Sequence, residues 1–82
     1  MGNVKVLLFG AAADLAGTRQ TELPVDDETT LGELWLALTN RHPELVPMRG
    51  TLAFAINDEY ARMDSRISPG DEVAVLPPVS GG

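Results

Sequence analysis

One stretch in the middle of the chain carries the only long helical pattern in the sequence. Thr30 precedes an apolar residue and is followed three positions later by Glu33, which is the capping-box arrangement of a helix start. The apolar residues that follow recur at spacings of three and four, and they are Leu31, Leu34, Trp35 and Leu38. Arg41, His42 and Pro43 end the pattern. Because one apolar stripe covers only one face of a small sheet, the sequence predicts one main helix packed on one side of a sheet.

The rest of the chain is rich in strand and turn signals. In chain order, the predicted elements are a strand over 4–9, a short helical turn over 11–16 closed by Gly17, an edge strand over 18–23 stopped by Pro24, the long helix, a loop over 44–50, and three strands over 51–57, 60–64 and 72–76. Turns are expected at 57–59 and 68–71. The first two strands lie close in sequence, which favours an antiparallel pair. The pattern predicts one α+β domain over 1–76.

Composition narrows the class of protein. With 82 residues, 44% hydrophobic and 22% charged, the chain has the size and composition of one small globular domain. It has no cysteine, which excludes disulfides, thiolate metal sites and a thiol nucleophile. The net charge of −6 argues against a nucleic-acid partner. It favours a protein partner with a basic surface; the alternative is that the charge only keeps the domain soluble. No apolar run approaches the roughly 20 residues that span a bilayer, so we expect a cytoplasmic protein without a membrane partner.

Two local features raise the question of a metal or catalytic site. Asp26, Asp27 and Glu28 lie just ahead of the helix start, where negative charge is favoured by the helix dipole. We interpret the three acids as capping and solvated residues and expect no metal site. His42 is the only histidine and has no nucleophile pattern around it, so we interpret it as a helix terminator.

The first and last strands have apolar residues at both odd and even positions. Residues 4–9 and 73–76 place apolar side chains on both faces of the sheet, yet the long helix can cover only one face. An exposed apolar face in a domain this small is typical of a protein interface. The alternative is that residues 44–50 fold over this second face.

The chain ends in an extended segment with a Gly-Gly tip. Pro77 and Pro78 lack a backbone N–H and end sheet pairing, and Val79, Ser80, Gly81 and Gly82 follow. The tail over 77–82 can reach about 20 Å when extended, which is long enough to enter a pocket on another protein. Its free carboxylate is a poor acyl electrophile and needs activation, for example as a mixed anhydride made from ATP. The tail would then be the substrate of a partner enzyme; otherwise it is an ordinary frayed chain end.

The order of elements resembles the ubiquitin-like β-grasp fold, with a mixed sheet of about five strands. Within that class the chain is similar to the small subunits of molybdopterin synthase, which are sulfur carriers. Three segments carry the resemblance: 4–10 with 14–18, then 55–57, and the closing segment 70–82, which reads Gly-Asp-Glu-Val-Ala-Val-Leu-Pro-Pro-Val-Ser-Gly-Gly. The closing segment is the specific one, because a Gly-Gly end alone is shared by every ubiquitin-like protein.

The resemblance implies a cycle on the Gly82 carboxylate. An ATP-dependent activating enzyme would adenylate it, and a sulfur donor would convert it to a thiocarboxylate. The tail would then enter the large subunit, which carries the catalytic side chains, and pass sulfur to cyclic pyranopterin monophosphate. The chain itself would bind no cofactor, and the two subunits would form a heterotetramer. Phe9, Tyr60 and Leu76 correspond to partner-contacting positions, residues 77–80 would also bind the partner, and Gly81 would belong with Gly82 to the reacting tip.

Other functions share this terminus. A β-grasp sulfur carrier for thiazole, cysteine or thiolated-nucleoside synthesis uses the same chemistry with a different partner. A ubiquitin-like modifier would instead join Gly82 to target lysines. A plain interaction module with an inert tail is the third alternative.

Overall fold

A five-stranded mixed sheet with helices on one side forms the body of the protein in the computed structural model, which describes residues 2–77. The elements are β1 (Gly2–Leu8), α1 (Gly10–Ala16), β2 (Gln20–Val25), α2 (Leu31–Arg41), a 3₁₀ helix (Pro43–Met48), β3 (Ala53–Ile56), β4 (Glu59–Ala61) and β5 (Glu72–Leu76). The strand order is β2-β1-β5-β3-β4. β1 and β5 are parallel, and the other neighbouring pairs are antiparallel. The predicted α+β class and element order are confirmed.

The start of α2 has the predicted capping box. The Thr30 hydroxyl accepts a hydrogen bond from the Glu33 N–H at 3.2 Å, and the Glu33 carboxylate accepts one from the Thr30 N–H at 2.9 Å. Two further N–H groups of the first turn, on Leu31 and Gly32, donate to carbonyls of the segment after β4 at 2.8 Å. The orphan donors of this helix end are therefore satisfied within the chain. An added Cβ at Gly32 would lie 3.2 Å from the Met63 carbonyl oxygen, a tight contact that the segment after β4 would have to relieve by a small shift.

The core lies between the sheet and the helices. The predicted stripe of α2 is buried, together with alternate residues of the strands. The strand residues of this core are Val4, Val6, Leu8, Leu23, Val25, Phe54, Val73 and Val75. Trp35 packs edge-on against the Phe54 ring, with 5.4 Å between the ring centroids. At the other end of α2, His42 is the C-cap, and its N–H donates to the Leu38 carbonyl at 2.8 Å.

The sequence predicted that Pro24 ends the second strand, but the strand continues through this residue. β2 runs through Pro24 to Val25, and Pro24 lies opposite Asn3 in the β1–β2 ladder. β2 is an edge strand, as predicted, and an edge strand tolerates proline because its missing N–H can face solvent. The strand is therefore two residues further along the chain than the predicted 18–23.

Other bounds also differ from the sequence prediction: β1 covers 2–8 instead of 4–9, and β3 covers 53–56 instead of 51–57. Residues 44–50 are largely helical, because the 3₁₀ helix covers Pro43–Met48 and buries Leu45 completely in the core. β4 ends at Ala61, before a turn at 63–64, and is shorter than the predicted 60–64. The predicted turn after β3 is present as a two-residue connection. Asn57 and Asp58 both have positive φ, at 50° and 72°, as a tight hairpin with the native twist requires.

Candidate functional site: the open sheet face and the base of the tail

One face of the sheet carries no helix, and we call it the open face. Its middle is an unbroken row of residues in register across all five strands: Gln20, Leu7, Ala74, Ala55 and Tyr60. At a strand spacing of about 4.8 Å this row is about 19 Å wide. Four of its five residues are apolar or aromatic.

A second apolar group lies next to this row, at the end of the sheet where β5 finishes. Leu76 pairs with Ala53, and Phe9 follows β1 in extended conformation with φ −124° and ψ 152°. The Phe9 N–H donates to the Val75 carbonyl at 3.2 Å, which holds it beside β5. We call the combined surface the apolar band; its residues are Leu7, Phe9, Ala53, Ala55, Tyr60, Ala74 and Leu76.

Two of the three predicted partner-contacting side chains are strongly exposed. Phe9 is 43% exposed and Tyr60 is 75% exposed, whereas Leu76 is half-buried. None of the three belongs to the core cluster. The structure places all three on the open face, with Phe9 and Leu76 near the tail and Tyr60 on the edge strand β4. Their role in binding stays a prediction.

The sequence left open the alternative that residues 44–50 fold over the open face. The structure shows that they do not. The 3₁₀ helix contacts α1 and α2, and Leu45 belongs to the core on the helix side of the sheet. Within residues 2–77, α2 and the 3₁₀ helix lie on the other side of the sheet, and α1 only borders the apolar band, at a groove lined by Leu7, Phe9, Ala13 and Asp14. The face therefore has the apolar character that is typical of a protein interface.

The tail begins at a fixed point beside the apolar band. β5 pairs with β1 on one side and β3 on the other, so Leu76 is held in the interior of the sheet. Pro77 is exposed and approaches Gly10, where an added Cβ would lie 3.4 Å from the proline ring. Gly10 has φ +57°, a conformation that favours glycine, so this seat for Pro77 depends on the residue at position 10. Pro78, Val79, Ser80, Gly81 and Gly82 lie outside the described residues.

The acidic cluster before α2 has a structural explanation. The Asp26 carboxylate accepts hydrogen bonds from the Glu28 N–H at 2.8 Å and from the Thr29 hydroxyl at 3.1 Å. The bond from Glu28, with a smaller effect of Thr29, lowers the pKa of Asp26 below its ordinary value. Across residues 2–77, no group of three or more His, Cys, Asp or Glu side chains is arranged to hold a metal ion. His42 Nδ1 lies 3.4 Å from the Glu44 carboxylate.

Sequence reasoning missed Ala53 and Ala55 of the apolar band and the charged residues beside it. Leu7, Ala53, Ala55 and Ala74 contribute to the band, but they become neighbours only through the strand order. A charged row lies next to the band, since Lys5 pairs with Glu22 on β2 and with Glu72 on β5. The signal that the sequence offered was that β1 and β5 have apolar residues at both odd and even positions. It indicated a second apolar face but did not show which other strands contribute to it.

The fold and the exposed tail base define a ubiquitin-like β-grasp protein. The SAMP1 structure from Haloferax volcanii, a small archaeal modifier protein, superposes with a TM-score of 0.87 at 32% identity, covering 99% of this chain and 100% of that chain. One chain of the complex between subunits 1 and 2 of the molybdopterin-converting factor from Helicobacter pylori superposes with a TM-score of 0.69 at 27% identity, covering 98% of this chain and 99% of that chain. The β-grasp prediction is confirmed.

Sequence comparison defines the family more narrowly. Residues 6–82 match the ThiS family, and the chain belongs to that family. Among its relatives, the human molybdopterin synthase sulfur carrier subunit is 38% identical over 82 residues, covering 96% of this chain and 93% of the human protein. Relatives of the same description from an alga and a nematode are 35% and 33% identical over 81 and 90 residues.

No helix within residues 2–77 has the length and apolar character needed to cross a bilayer.

Proposed function

We propose that this protein is the sulfur carrier subunit of a molybdopterin synthase. The observation that carries the proposal is the 38% identity to the human sulfur carrier subunit over nearly the whole chain, together with this chain's family match, which extends to Gly82. The structure supports it by placing an uncovered apolar face beside the base of the tail. A carrier of this kind needs a surface for a partner and a terminus that can enter the partner.

The chemistry of the cycle takes place on the Gly82 carboxylate. The carboxylate attacks the α-phosphorus of ATP in an activating enzyme, which forms the acyl adenylate and releases pyrophosphate. A donor of sulfide-level sulfur then attacks the acyl carbon and displaces AMP, and the product is a thiocarboxylate. In the large subunit the thiocarboxylate sulfur bonds to a carbon of cyclic pyranopterin monophosphate, which links Gly82 to the pterin as a thioester. Water then cleaves the acyl–sulfur bond, so the sulfur stays on the pterin and the terminus returns to a carboxylate. Two such transfers supply the two sulfurs of the dithiolene. Gly81 and Gly82 lack a Cβ, so this end can approach reacting atoms in a narrow channel.

The division of labour follows from this chemistry. The chain binds no cofactor of its own, ATP is used by the activating enzyme, and the catalytic side chains belong to the large subunit. Phe9, Tyr60 and Leu76 contact the partner, while Pro77, Pro78, Val79 and Ser80 lead into its active site. We propose a heterotetramer of two small and two large subunits. Because activation consumes ATP, we place the cycle in the cytoplasm.

Mass spectrometry tests the central step directly. Incubation with the activating enzyme, ATP and a sulfur source is expected to replace one oxygen of the C-terminal carboxylate by sulfur. Deletion of Gly82, or addition of one residue after it, is expected to abolish sulfur transfer and leave thermal unfolding unchanged. Loss of folding in parallel with loss of transfer would contradict the proposal, because it would make the tail a structural element.

A protein modifier is the second candidate, and a specific observation favours it. The small archaeal modifier protein 1 of Haloferax volcanii is 37% identical over 83 residues, covering 92% of this chain and 95% of that protein. The same activated terminus would then be joined to lysines of target proteins. Recovery of isopeptide-linked adducts in place of a thiocarboxylate would favour this function. Co-purification of a thiazole or cysteine synthase, with no pterin-binding subunit, would identify a different sulfur-carrier pathway.

A further inference from the structure

Three charged side chains stand side by side on the open face, and we call them the charged row. Lys5 on β1 lies in register between Glu22 on β2 and Glu72 on β5. The row therefore alternates in sign across three neighbouring strands and spans about 10 Å. Lys5 is the only lysine of the chain. The same residues line a shallow groove together with Asn3, Gly70 and Asp71.

The side chains of this row form no ion pairs with other groups of the described residues. Within residues 2–77 the ion pairs are His42 with Glu44 and Arg62 with Asp64, and neither involves the row. Glu22 accepts one long hydrogen bond, from the Asn3 amide at 3.4 Å. Asp71, by contrast, is engaged locally, because its carboxylate accepts from the Asn57 amide at 3.0 Å and from the Ser68 N–H at 2.9 Å. The row keeps its hydrogen-bonding capacity for a ligand outside the domain.

The row is continuous with the apolar band. Along β1 the next residue on the same face after Lys5 is Leu7, and along β5 the next after Glu72 is Ala74. Each step is about 7 Å, so the row lies one step from the middle of the band. A standard protein interface buries about 800 Å² on each partner, which corresponds to a patch about 28 Å across. The five strands span only about 19 Å across the sheet, so an interface of that size must also extend along the strands. A partner that binds the apolar band therefore also covers the charged row.

We propose that the charged row is the specificity element of this docking face. This inference rests on the proposed function and names the chemistry of its partner. The large subunit presents a carboxylate opposite Lys5 and basic side chains opposite Glu22 and Glu72. The apolar band supplies contact area that many apolar surfaces could match, whereas the alternating charges accept one register and repel partners with a different charge pattern.

A charge permutation tests the pattern separately from the net charge. The double variant Lys5→Glu with Glu72→Lys keeps the net charge of −6 but changes the order of signs in the row. The matched control exchanges the exposed residues Glu44→Arg with Arg49→Glu, which lie on the 3₁₀ helix and at its C-cap, on the helix side of the sheet. Binding to the large subunit from the same genome is measured by calorimetry at low and high salt. Thermal unfolding of each variant confirms folding.

The permuted row is expected to raise Kd by about tenfold or more at low salt, with a smaller difference at high salt. The control exchange is expected to stay within about twofold of wild type. A second permutation, Glu22→Lys with Lys5→Glu, is used if the first variant fails to fold. Equal binding by wild type and a folded permutation would overturn this inference and leave the proposed function intact. Failure of the wild type itself to bind the large subunit would overturn both.

Discussion

Tyr60 is the most exposed large side chain on the open face, and its truncation separates binding from folding. It is 75% exposed, so of the roughly 200 Å² that a tyrosine can bury, about 150 Å² remain for a partner. At about 25 cal/mol per Å², half to full coverage by a partner contributes about 2–4 kcal/mol. Tyr60→Ala is therefore expected to raise Kd for the large subunit by about 30-fold or more.

The effect of the same substitution on folding is expected to be small. The quarter of Tyr60 that is already buried amounts to about 50 Å², or about 1 kcal/mol of stability. Leu36→Ala is the matched control, since Leu36 is 67% exposed but lies on α2, on the other side of the sheet. Calorimetric titration gives Kd, and urea unfolding gives the free energy of unfolding. A comparable loss of binding in both variants, or none in Tyr60→Ala, would refute the assignment of the open face as the docking surface.

Three further predictions concern the body of the domain. Thr30→Ala removes the capping box of α2 and is expected to cost about 1 kcal/mol, which lowers the melting temperature by about 4–8 °C in a scanning calorimeter. Leu45→Ala is expected to cost about 2–5 kcal/mol in urea unfolding because the side chain is fully buried, whereas Val46→Ala, at a position 54% exposed, stays within about 0.5 kcal/mol. The hydrogen bond from Glu28 lowers the pKa of Asp26, so its stabilisation is present above the ordinary value of 3.8 and is lost as the pH falls below it. Asp26→Asn is expected to flatten the acid limb of a stability-against-pH curve; an unchanged acid limb would contradict this account.

Elements with strong local signals were predictable from the sequence. The start and end of α2 have local signals in Thr30, Glu33 and His42, whose capping hydrogen bonds join residues no more than four positions apart along the chain. β5 was predicted at its observed bounds, because a Pro-Gly turn precedes it and a proline follows it. In that turn Gly70 has φ +92° and the Asp71 N–H donates to the Ser68 carbonyl at 3.0 Å, as the turn chemistry requires.

Elements that depend on distant contacts were predicted less well. Pro24 is a strong local stop signal, yet it is accommodated because β2 has a neighbour on one side only. Residues 43–48 carry two prolines and no helical period, and their helical form depends on the burial of Leu45 between elements far apart in sequence. The apolar band has the same origin. Its residues come from four segments, and only the order β1-β5-β3-β4 brings them together.

The position of β5 explains how a small domain can use its surface to direct its own terminus. β5 is the central strand, paired on both sides, and it contributes Glu72 to the charged row and Ala74 and Leu76 to the apolar band. The chain then continues directly into Pro77, with no flexible segment between the docking face and the base of the tail. In the docking that we propose, binding energy gained on the open face would fix where the tail starts relative to the partner. A reacting group held in this way needs little further ordering, which is the advantage of positioning in catalysis. A flexible insertion between Leu76 and Pro77 would keep the affinity of the face but lose this advantage, so transfer rate and affinity would separate.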